Sequence, residues 1–295
     1  MSEYILSCCS TADMPKEFFE QKNIRYTCFH YQLGDTWYPD DLGVSVPLPV
    51  FYKEMEKGTM TKTSQINAEE YVEYFEQFLK DGKDVLHIAL SSGISGTFNS
   101  ANVARDMLQD KYPDRKIYVV DSYAASSGFG LLMDQLANLR DAGMSMEELR
   151  DWTMAHRLEV QHWFFSTTLT YFIRGGRISK TAGTIGNMLN ICPLMNVDFE
   201  GKLIVRHKIR GKKKVIKAAM KKMAEHAQGG KEYNGKCFIS NSACYEDARE
   251  LADLIEQNFP NLDGKVKICD IGNLIGSHTG PGTVALFFWG DERKD

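Results

Sequence analysis

Hydroxyl groups and glycines are concentrated in one short segment, Ser91-Ser92-Gly93-Ile94-Ser95-Gly96-Thr97. The segment follows a mostly apolar run at 84–90, typical of a buried parallel strand, and precedes a helical pattern. Open α/β sheets bind ligands at the carboxyl ends of their strands, and the start of a helix offers N–H groups to an anion. One hydroxyl here would only cap the helix, but the hydroxyls of Ser92, Ser95 and Thr97 together with two glycines favour a site for an acidic ligand head.

Two further polar clusters lie at comparable places in the first half of the chain. Thr61-Lys62-Thr63-Ser64-Gln65 precedes a helical pattern at 68–80, and by itself it is typical of a capping segment. Asp121-Ser122 follows an apolar run at 116–120. Because strand ends of one parallel sheet meet at one edge, we expect the three clusters to converge on a single crevice.

The second half of the chain contributes arginines and one histidine in glycine-rich surroundings. Arg174 and Arg177 flank Gly175-Gly176, and the guanidinium fork suits a carboxylate or a phosphate. His278 lies in the segment 275–282, which also holds three glycines, and we interpret that segment as a stiff Gly/Pro loop. A histidine in such a loop is well placed to touch a ligand.

A basic segment at 206–222 contains nine Lys or Arg residues and no acidic residue. One interpretation is a solvated helix face, with Val215, Ala219 and Met223 turned inward. The alternative is docking to an acidic partner or a phosphate. Arg210, beside Gly211, remains open to a role in the site.

No familiar catalytic signature accompanies these clusters. Residues 93–97 lack the G-x-S-x-G spacing of a hydrolase elbow, and the chain has neither a P-loop nor a G-x-G-x-x-G fingerprint. Nucleophilic catalysis by Ser95 with His278 stays open, although no acid that would orient the histidine can be identified. The alternative function is thus a Ser95-dependent hydrolase or transferase for a small acidic or acyl substrate.

Composition excludes several classes of protein. The net charge of −4 argues against nucleic acid as the main partner. The seven cysteines and seven histidines lack the spacing of a metal site, so we expect neither a metal nor a cofactor. No apolar run approaches the ~20 residues of a membrane span, and the N-terminus lacks the features of a signal peptide, so we expect a cytoplasmic protein without a transmembrane segment.

The elements that must position the polar clusters alternate along the first half of the chain. Strand patterns at 4–8, 84–90 and 116–120 alternate with helical patterns at 68–80, through Ala101, Ala104 and Leu108, and at 125–142, which predicts a parallel sheet flanked by helices. After about residue 158, strand patterns at 162–166, 203–207, 236–240, 266–271 and 283–289 surround helices at 212–227 and 243–258. We predict an α/β protein of two domains, 1–158 and 159–295, the second with a mixed sheet.

Six motifs in order resemble the DegV family over nearly the whole chain. They are S-S-G-I-S-G-T-F-N-S-A at 91–101, K-T-S-Q at 62–65, V-D-S at 120–122, L-x-Y-F-I-R-G-G-R-I-S at 169–179, K-I-R-G-K-K-K at 208–214 and G-S-H-T-G-P-G at 276–282, with I-C-P-L at 191–194 in addition. The resemblance implies a bacterial fatty-acid-binding protein, similar to the lipid-binding subunit of a fatty acid kinase. Such a protein encloses a long-chain fatty acid between its two domains and presents the carboxylate to an ATP-binding kinase subunit. It then carries the acyl-phosphate towards phospholipid synthesis, which implies an acyltransferase as a further partner.

The resemblance also implies roles for individual residues. The ligand-binding set it implies is Thr63, Ser64, Ser95, Gly96, Thr97, Arg174, Arg177, Arg210, His278 and Thr279. Thr63, Ser64, residues 95–97 and His278 would surround the carboxylate, and the three arginines would lie near the head group or on the face that meets the kinase. Candidates for lining the acyl chain are Phe164, Phe165, Phe172, Ile173, Ile185, Met188 and Leu189. Cys9-Ser10 and Ile66-Asn67 depart from the family's Asp-Ser and Pro-Ser, which bears on the kinase partner more than on acyl binding.

Overall fold

The computed structural model describes residues 4–179 and 190–294. The strands are β1 Tyr4–Cys9, β2 Arg25–Thr27, β3 His30–Leu33, β4 Thr36–Pro39, β5 Thr61–Ser64, β6 Asp84–Ala89, β7 Ile117–Asp121, β8 Val160–Ser166, β9 Ile191–Val197, β10 Leu203–Arg210, β11 Cys237–Asn241, β12 Lys267–Asp270 and β13 Thr283–Trp289. The helices are α1 Lys16–Gln21, α2 Leu48–Glu56, α3 Ala68–Lys80, α4 Thr97–Gln109, α5 Ser126–Asp141, α6 Met146–His156, α7 Thr170–Arg174, α8 Lys212–His226, α9 Tyr245–Asn258 and α10 Asn273–Thr279.

A four-stranded parallel sheet in the order β2-β1-β6-β7 confirms the α/β prediction for the first half of the chain. Its central strand β6 is buried along nearly all its length, as its apolar sequence requires. The predicted helix at 68–80 is present as α3, which buries Tyr71, Phe75 and Leu79 on one face. Because β6 ends at Ala89 beside Asp121 of β7, the Ser-rich turn and Asp121 share one edge of this sheet, whereas the third polar cluster, at 61–65, lies outside it.

A second, three-stranded antiparallel sheet in the order β4-β3-β5 has no counterpart in the sequence analysis. Thr61–Ser64 is strand β5, whose Thr63 pairs with Tyr31 of β3. The interpretation of this segment as a helix cap is therefore wrong. The cap of α3 is Asn67, which forms a reciprocal capping box with Glu70.

The third sheet is mixed and has the order β10-β9-β8-β13-β11-β12, in which only β11 and β12 run parallel. Side chains of β8 alternate between its two faces. Phe164 joins the core beneath α5, whereas Trp163 and Phe165 pack with α8 and α9. Helix α5 contacts β8, β11 and β13, so it lies against the mixed sheet although it follows a strand of the parallel sheet.

One predicted loop is a helix. Residues 275–282 were expected to form a Gly/Pro loop, but Asn273–Thr279 is α10, and only the residues from Gly280 onward turn away. Helix α10 packs against α2, β3 and β5, which are all distant from it in sequence. The division of the chain at residue 158 stays a prediction. None of the helices in the described parts of the chain has the length and apolarity required to cross a bilayer.

Candidate functional site

A polar cleft of about 390 Å³ lies where β5, the turn before α4, the end of α7 and helix α10 meet. The described residues that line it are Phe29, Thr63, Ser64, Gln65, Leu90, Ile94, Ser95, Gly96, Arg177, Leu274, Ile275 and His278. Six residues of the predicted ligand-binding set are among them. The cleft therefore brings together hydroxyls from two strand ends, a guanidinium and an imidazole.

Thr63 and His278 form the central hydrogen bond of the cleft, with Oγ1 and Nε2 2.9 Å apart. Burial lowers the pKa of His278 to about 3, and the charge of Arg177 acts in the same direction, so the imidazole is neutral at physiological pH. Nδ1 is buried and has no hydrogen-bond partner among the described residues. Because an orphaned buried N–H is rarer than an orphaned acceptor, we assign the proton to Nε2, which donates to Thr63 and leaves the threonine O–H free for a ligand oxygen.

Gly175 holds the other side of the imidazole. A Cβ at this position would overlap Nδ1 of His278, so only glycine lets the backbone after α7 approach so closely. Gly175 itself has an ordinary helical φ of −74°. The requirement for glycine is thus one of space and not of backbone conformation.

The Ser-rich turn lies between the two larger sheets. Ser91 Oγ donates to the carbonyl of Gly201, which lies in the turn between β9 and β10, over 2.8 Å. Ser95 Oγ accepts the N–H of Thr97 at 3.3 Å, and Gly96 precedes the first turn of α4 with no side chain to cover it. Gly96 also packs so closely against the Gln65 side chain that a Cβ would come within 2.7 Å of its Oε1.

Thr97 faces away from the cleft. Its side chain is buried, and its hydroxyl hydrogen-bonds to Tyr71 OH at 2.8 Å. Tyr71 in turn contacts Cys9 Sγ at 3.5 Å. Thr97 thus anchors α4 to the core, and its hydroxyl is directed into a buried network that also holds Cys9.

The three predicted arginines occupy different positions. Arg177 lines the cleft, where Nε donates to the carbonyl of Ile94 at 3.2 Å and burial lowers its pKa. Arg174 is exposed and lies over the Tyr171 ring, 5.3 Å from its centroid. Arg210 is exposed at the end of β10 and is not among the described residues that line the cleft. The structure therefore joins Arg177 to the cleft and leaves Arg174 and Arg210 on the surface.

An apolar cavity of about 70 Å³ adjoins the polar cleft, and the two share Ile94, Arg177, Ile275 and His278 as lining residues. Its walls come from α5, β8, α7, β9, β10, α10 and β13. Phe164, Phe172 and Thr279 line it, whereas Phe165 faces the opposite side of the mixed sheet. Ile173 is half-buried and is not one of the lining residues described, and Ile185, Met188 and Leu189 lie outside the described residues.

Several lining residues had not been singled out by sequence reasoning. Gln65, Ile94, Ile275 and Leu274 line the polar cleft, and Ala285 and Phe287 line the apolar cavity. Gln65 stands beside Thr63 and Ser64 in the segment that was singled out, so its position could have been found. The apolar residues carry no such signal, because a residue in a cavity wall and a residue in a closed core have the same sequence pattern.

The geometry does not prepare Ser95 for nucleophilic attack. His278 Nε2 is bonded to Thr63, and Ser95 Oγ accepts a backbone N–H. In the described part of the chain, no hydrogen bond joins Ser95 to a histidine, and no group of three or more His, Cys, Asp and Glu side chains could hold a metal ion. The arrangement can bind and orient an anionic oxygen.

Comparison with known proteins establishes the family of this chain. Residues 9–291 match the family described as "Uncharacterised protein, DegV family". A DegV domain-containing protein of Clostridium perfringens is 37% identical over 294 residues, covering 100% of both chains. The chain belongs to the DegV family.

Solved structures of DegV proteins share the fold of this chain. DegV from Bacillus subtilis, described as a fatty acid binding protein, superimposes with a TM-score of 0.83 at 25% identity, covering 99% of this chain and 100% of its own. The Fak B3 protein of the Streptococcus pneumoniae fatty acid kinase, loaded with linoleic acid, reaches a TM-score of 0.83 at 23% identity with the same coverage. At this identity the second likeness concerns the fold alone. The DegV fold thus includes both the parallel and the mixed sheet described above.

Proposed function

We propose that this DegV protein binds a long-chain fatty acid, with the carboxylate in the polar cleft and the acyl chain in the apolar cavity. The observation that carries the proposal is the sharing of Ile94, Arg177, Ile275 and His278 between the two spaces. A ligand that crosses from one to the other must be polar at one end and apolar along the rest. The fatty acid bound by DegV of Bacillus subtilis has this chemistry.

The energetics assign different tasks to the two ends of the ligand. Burial of about 14 methylenes at ~0.8 kcal/mol each contributes roughly 11 kcal/mol before the costs of association. A hydrogen bond to the charged carboxylate contributes only ~1.5–3 kcal/mol. The acyl chain therefore sets the affinity, and Thr63, Ser95 and their neighbours set the orientation.

The cavity must widen when the acyl chain enters. Its volume of about 70 Å³ is below the ~150 Å³ of an engineered cavity that accepts benzene. Phe172 and Arg177 form one wall and lie within or just after the short helix α7, whereas Phe164 and Ala285 stand on paired central strands of the mixed sheet. Movement of α7 breaks fewer backbone hydrogen bonds than movement of a strand within the sheet. We therefore expect the acyl chain to enter the cavity on the α7 side.

Native mass spectrometry of gently purified protein, followed by extraction and lipid analysis, tests the proposal. We expect a bound fatty acid, and protein that is always empty and gains no mass with long-chain fatty acids would refute it. Ala285→Leu places extra carbon atoms in the cavity and should weaken binding of long chains more than that of short chains. Ala142→Leu, at an exposed position after α5, is the matched control.

A second, more specific proposal concerns the protein partner: the bound carboxylate is presented to the ATP-binding subunit of a fatty acid kinase. Exposed Arg174 is well placed to meet a partner, because it stands just before Gly175, which packs on His278. With fatty acid, ATP and a bacterial kinase subunit, Arg174→Gln should retain the lipid but lose most acyl-phosphate formation. Lys53→Gln, a charge change on α2, is the control. Full lipid loading without acyl-phosphate in the unmodified protein would refute this step and leave fatty acid binding intact.

The alternative, a hydrolase or transferase with Ser95 as nucleophile, is not favoured by any contact of Ser95 in the described chain.

A further inference from the structure

A second polar cavity lies on the other side of the mixed sheet from the apolar cavity. Its volume is about 420 Å³, within the ~300–1,000 Å³ of small-molecule sites. We call it the Trp163 cleft; the described residues that line it are Gln161, Trp163, Asn196, Arg206, His207, Lys222, His226, Asp291, Glu292, Arg293 and Lys294. It shares no lining residue with the polar cleft or the apolar cavity, so its ligand need not be the fatty acid.

Alternation along β8 explains this separation. His162 and Phe164 line the apolar cavity, and their neighbours Gln161 and Trp163 point to the opposite face. Trp163 is buried and forms the floor of the cleft, with Lys222 Nζ 5.0 Å from its ring centroid and the His226 ring stacked at 5.5 Å. The floor is therefore rigid and carries cationic or cation-forming groups.

Positive charge exceeds negative charge in the cleft. Arg206, Lys222, Arg293 and Lys294 are cationic, against the carboxylates of Asp291 and Glu292 and that of Glu225, which pairs with Lys222 Nζ over 2.8 Å. Asp291 accepts hydrogen bonds from Gln161 and shares one with His226 at 3.1 Å, and Arg293 donates to the carbonyls of Val197 and Tyr123. These groups form the frame of the cleft.

The guanidinium of Arg206 has an unsatisfied hydrogen-bond donor. Its Nε donates to Asn196 Oδ1 at 2.8 Å, but Nη2 is buried and has no hydrogen-bond partner in the described part of the chain. A buried N–H on a charged group is energetically unfavourable when it is left unsatisfied, and a guanidinium is satisfied best by two oxygens of one anion. Lys294 adds positive charge for the same anion, and Lys222, which pairs with Glu225, lines the cleft beside it.

We propose that the Trp163 cleft binds a phosphate group, with the guanidinium of Arg206 as its main ligand and Lys222 beside it. The volume of the cleft, about 420 Å³, is large enough for a small phosphorylated molecule or free phosphate. Lys222 and His226 cover the ring of Trp163, so the ring packs against these two side chains and is not free to stack on the nucleobase of a ligand.

Isothermal titration of the full chain with inorganic phosphate at constant ionic strength tests the proposal. We expect saturable binding that Arg206→Gln weakens at least tenfold and Arg206→Lys weakens less, because lysine keeps the charge and loses the fork. Lys208→Gln, an exposed change on the same strand outside the cleft, should leave binding unchanged. Circular dichroism and the melting temperature establish that each variant is folded, and Lys222→Met provides a second variant if Arg206→Gln unfolds.

Three outcomes would overturn the proposal. The first is the absence of saturable phosphate binding, which would mean that ordered water accepts the hydrogen bonds of Arg206 Nη2. The second is an equal effect of Arg206→Gln and Lys208→Gln, which would reveal only general charge attraction. The third is a polyglutamate peptide that binds in an Arg206-dependent way while phosphate does not, which would identify a docking surface for an acidic protein.

Discussion

Thr63 Oγ1 and His278 Nε2 lie 2.9 Å apart and join strand β5 to the last turn of α10 across 215 residues of sequence. The bond holds the threonine hydroxyl at the point where the polar cleft meets the apolar cavity. Because the histidine is neutral and donates to Thr63, the threonine can donate to a carboxylate.

Replacement of Thr63 by valine should weaken fatty acid binding by about tenfold to a hundredfold. Valine keeps the shape but loses a hydrogen bond to a charged group, worth ~1.5–3 kcal/mol. Displacement of a fluorescent fatty acid measures the effect. Thr36→Val, at an exposed position on β4 of the same sheet, should bind normally; equal affinities in the two variants would remove Thr63 from the site.

Acidification should destabilise the ligand-free protein partly through His278. Burial and Arg177 lower the pKa of His278 to about 3, whereas a histidine in the unfolded chain has a pKa near ~6.5. As the pH is lowered, the unfolded state thus binds the proton first. The free energy of unfolding therefore decreases over the pH range from about 6.5 down to about 3. From pH 7 to pH 5 the loss should reach about 2 kcal/mol for this one group.

Urea unfolding of delipidated protein at pH 7 and pH 5 measures that loss. His278→Gln should reduce the difference between the two pH values, and His207→Gln, an exposed change on β10, should not. Burial also lowers the pKa of His87 to about 3, so a part of the acid sensitivity should remain in His278→Gln. An unchanged pH dependence in His278→Gln would contradict the assignment.

Two adjacent glycines offer a matched test of the packing on His278. Gly175→Ala places a methyl group onto Nδ1 and should displace the ring, with loss of most fatty acid binding and of protein stability. Gly176 has a φ of +71° but open space around its Cα, so Gly176→Ala should cost only about 1 kcal/mol of stability through backbone strain. Retained binding in Gly175→Ala would show that the imidazole position is unimportant.

Ser95 should not react as a nucleophile. Its Oγ accepts the Thr97 N–H, and His278 is bonded to Thr63, so the serine has no base in place. A serine-reactive phosphonate should leave the protein unlabelled, and Ser95→Ala should show the same ester hydrolysis as the unmodified chain. Labelling that Ser95→Ala abolishes would instead support the hydrolase or transferase.

Local patterns in the sequence determined the five longest described helices and most of the described strands of this protein. The periodicity of 68–80 predicts α3, and the apolar run of 84–90 predicts β6. Both patterns are local, so they can be recognised without knowing which distant residues pack against them. Strand β5 and helix α10 were misinterpreted for the opposite reason. β5 is a strand because β3 pairs with it, and α10 is a seven-residue helix that packs on α2, β3 and β5.

The sequence by itself also determined which chemical groups are available to the site: hydroxyls at 63–64 and 95–97, arginines at 174, 177 and 210, and one histidine at 278. Only the tertiary structure decided which of them meet. Thr63, Ser95, Arg177 and His278 share the cleft, while Thr97 turns to Tyr71 and Arg210 remains on the surface. The physical reason is that a side chain's direction depends on the pairing register and packing of its element, and these arise from contacts with residues distant in the chain.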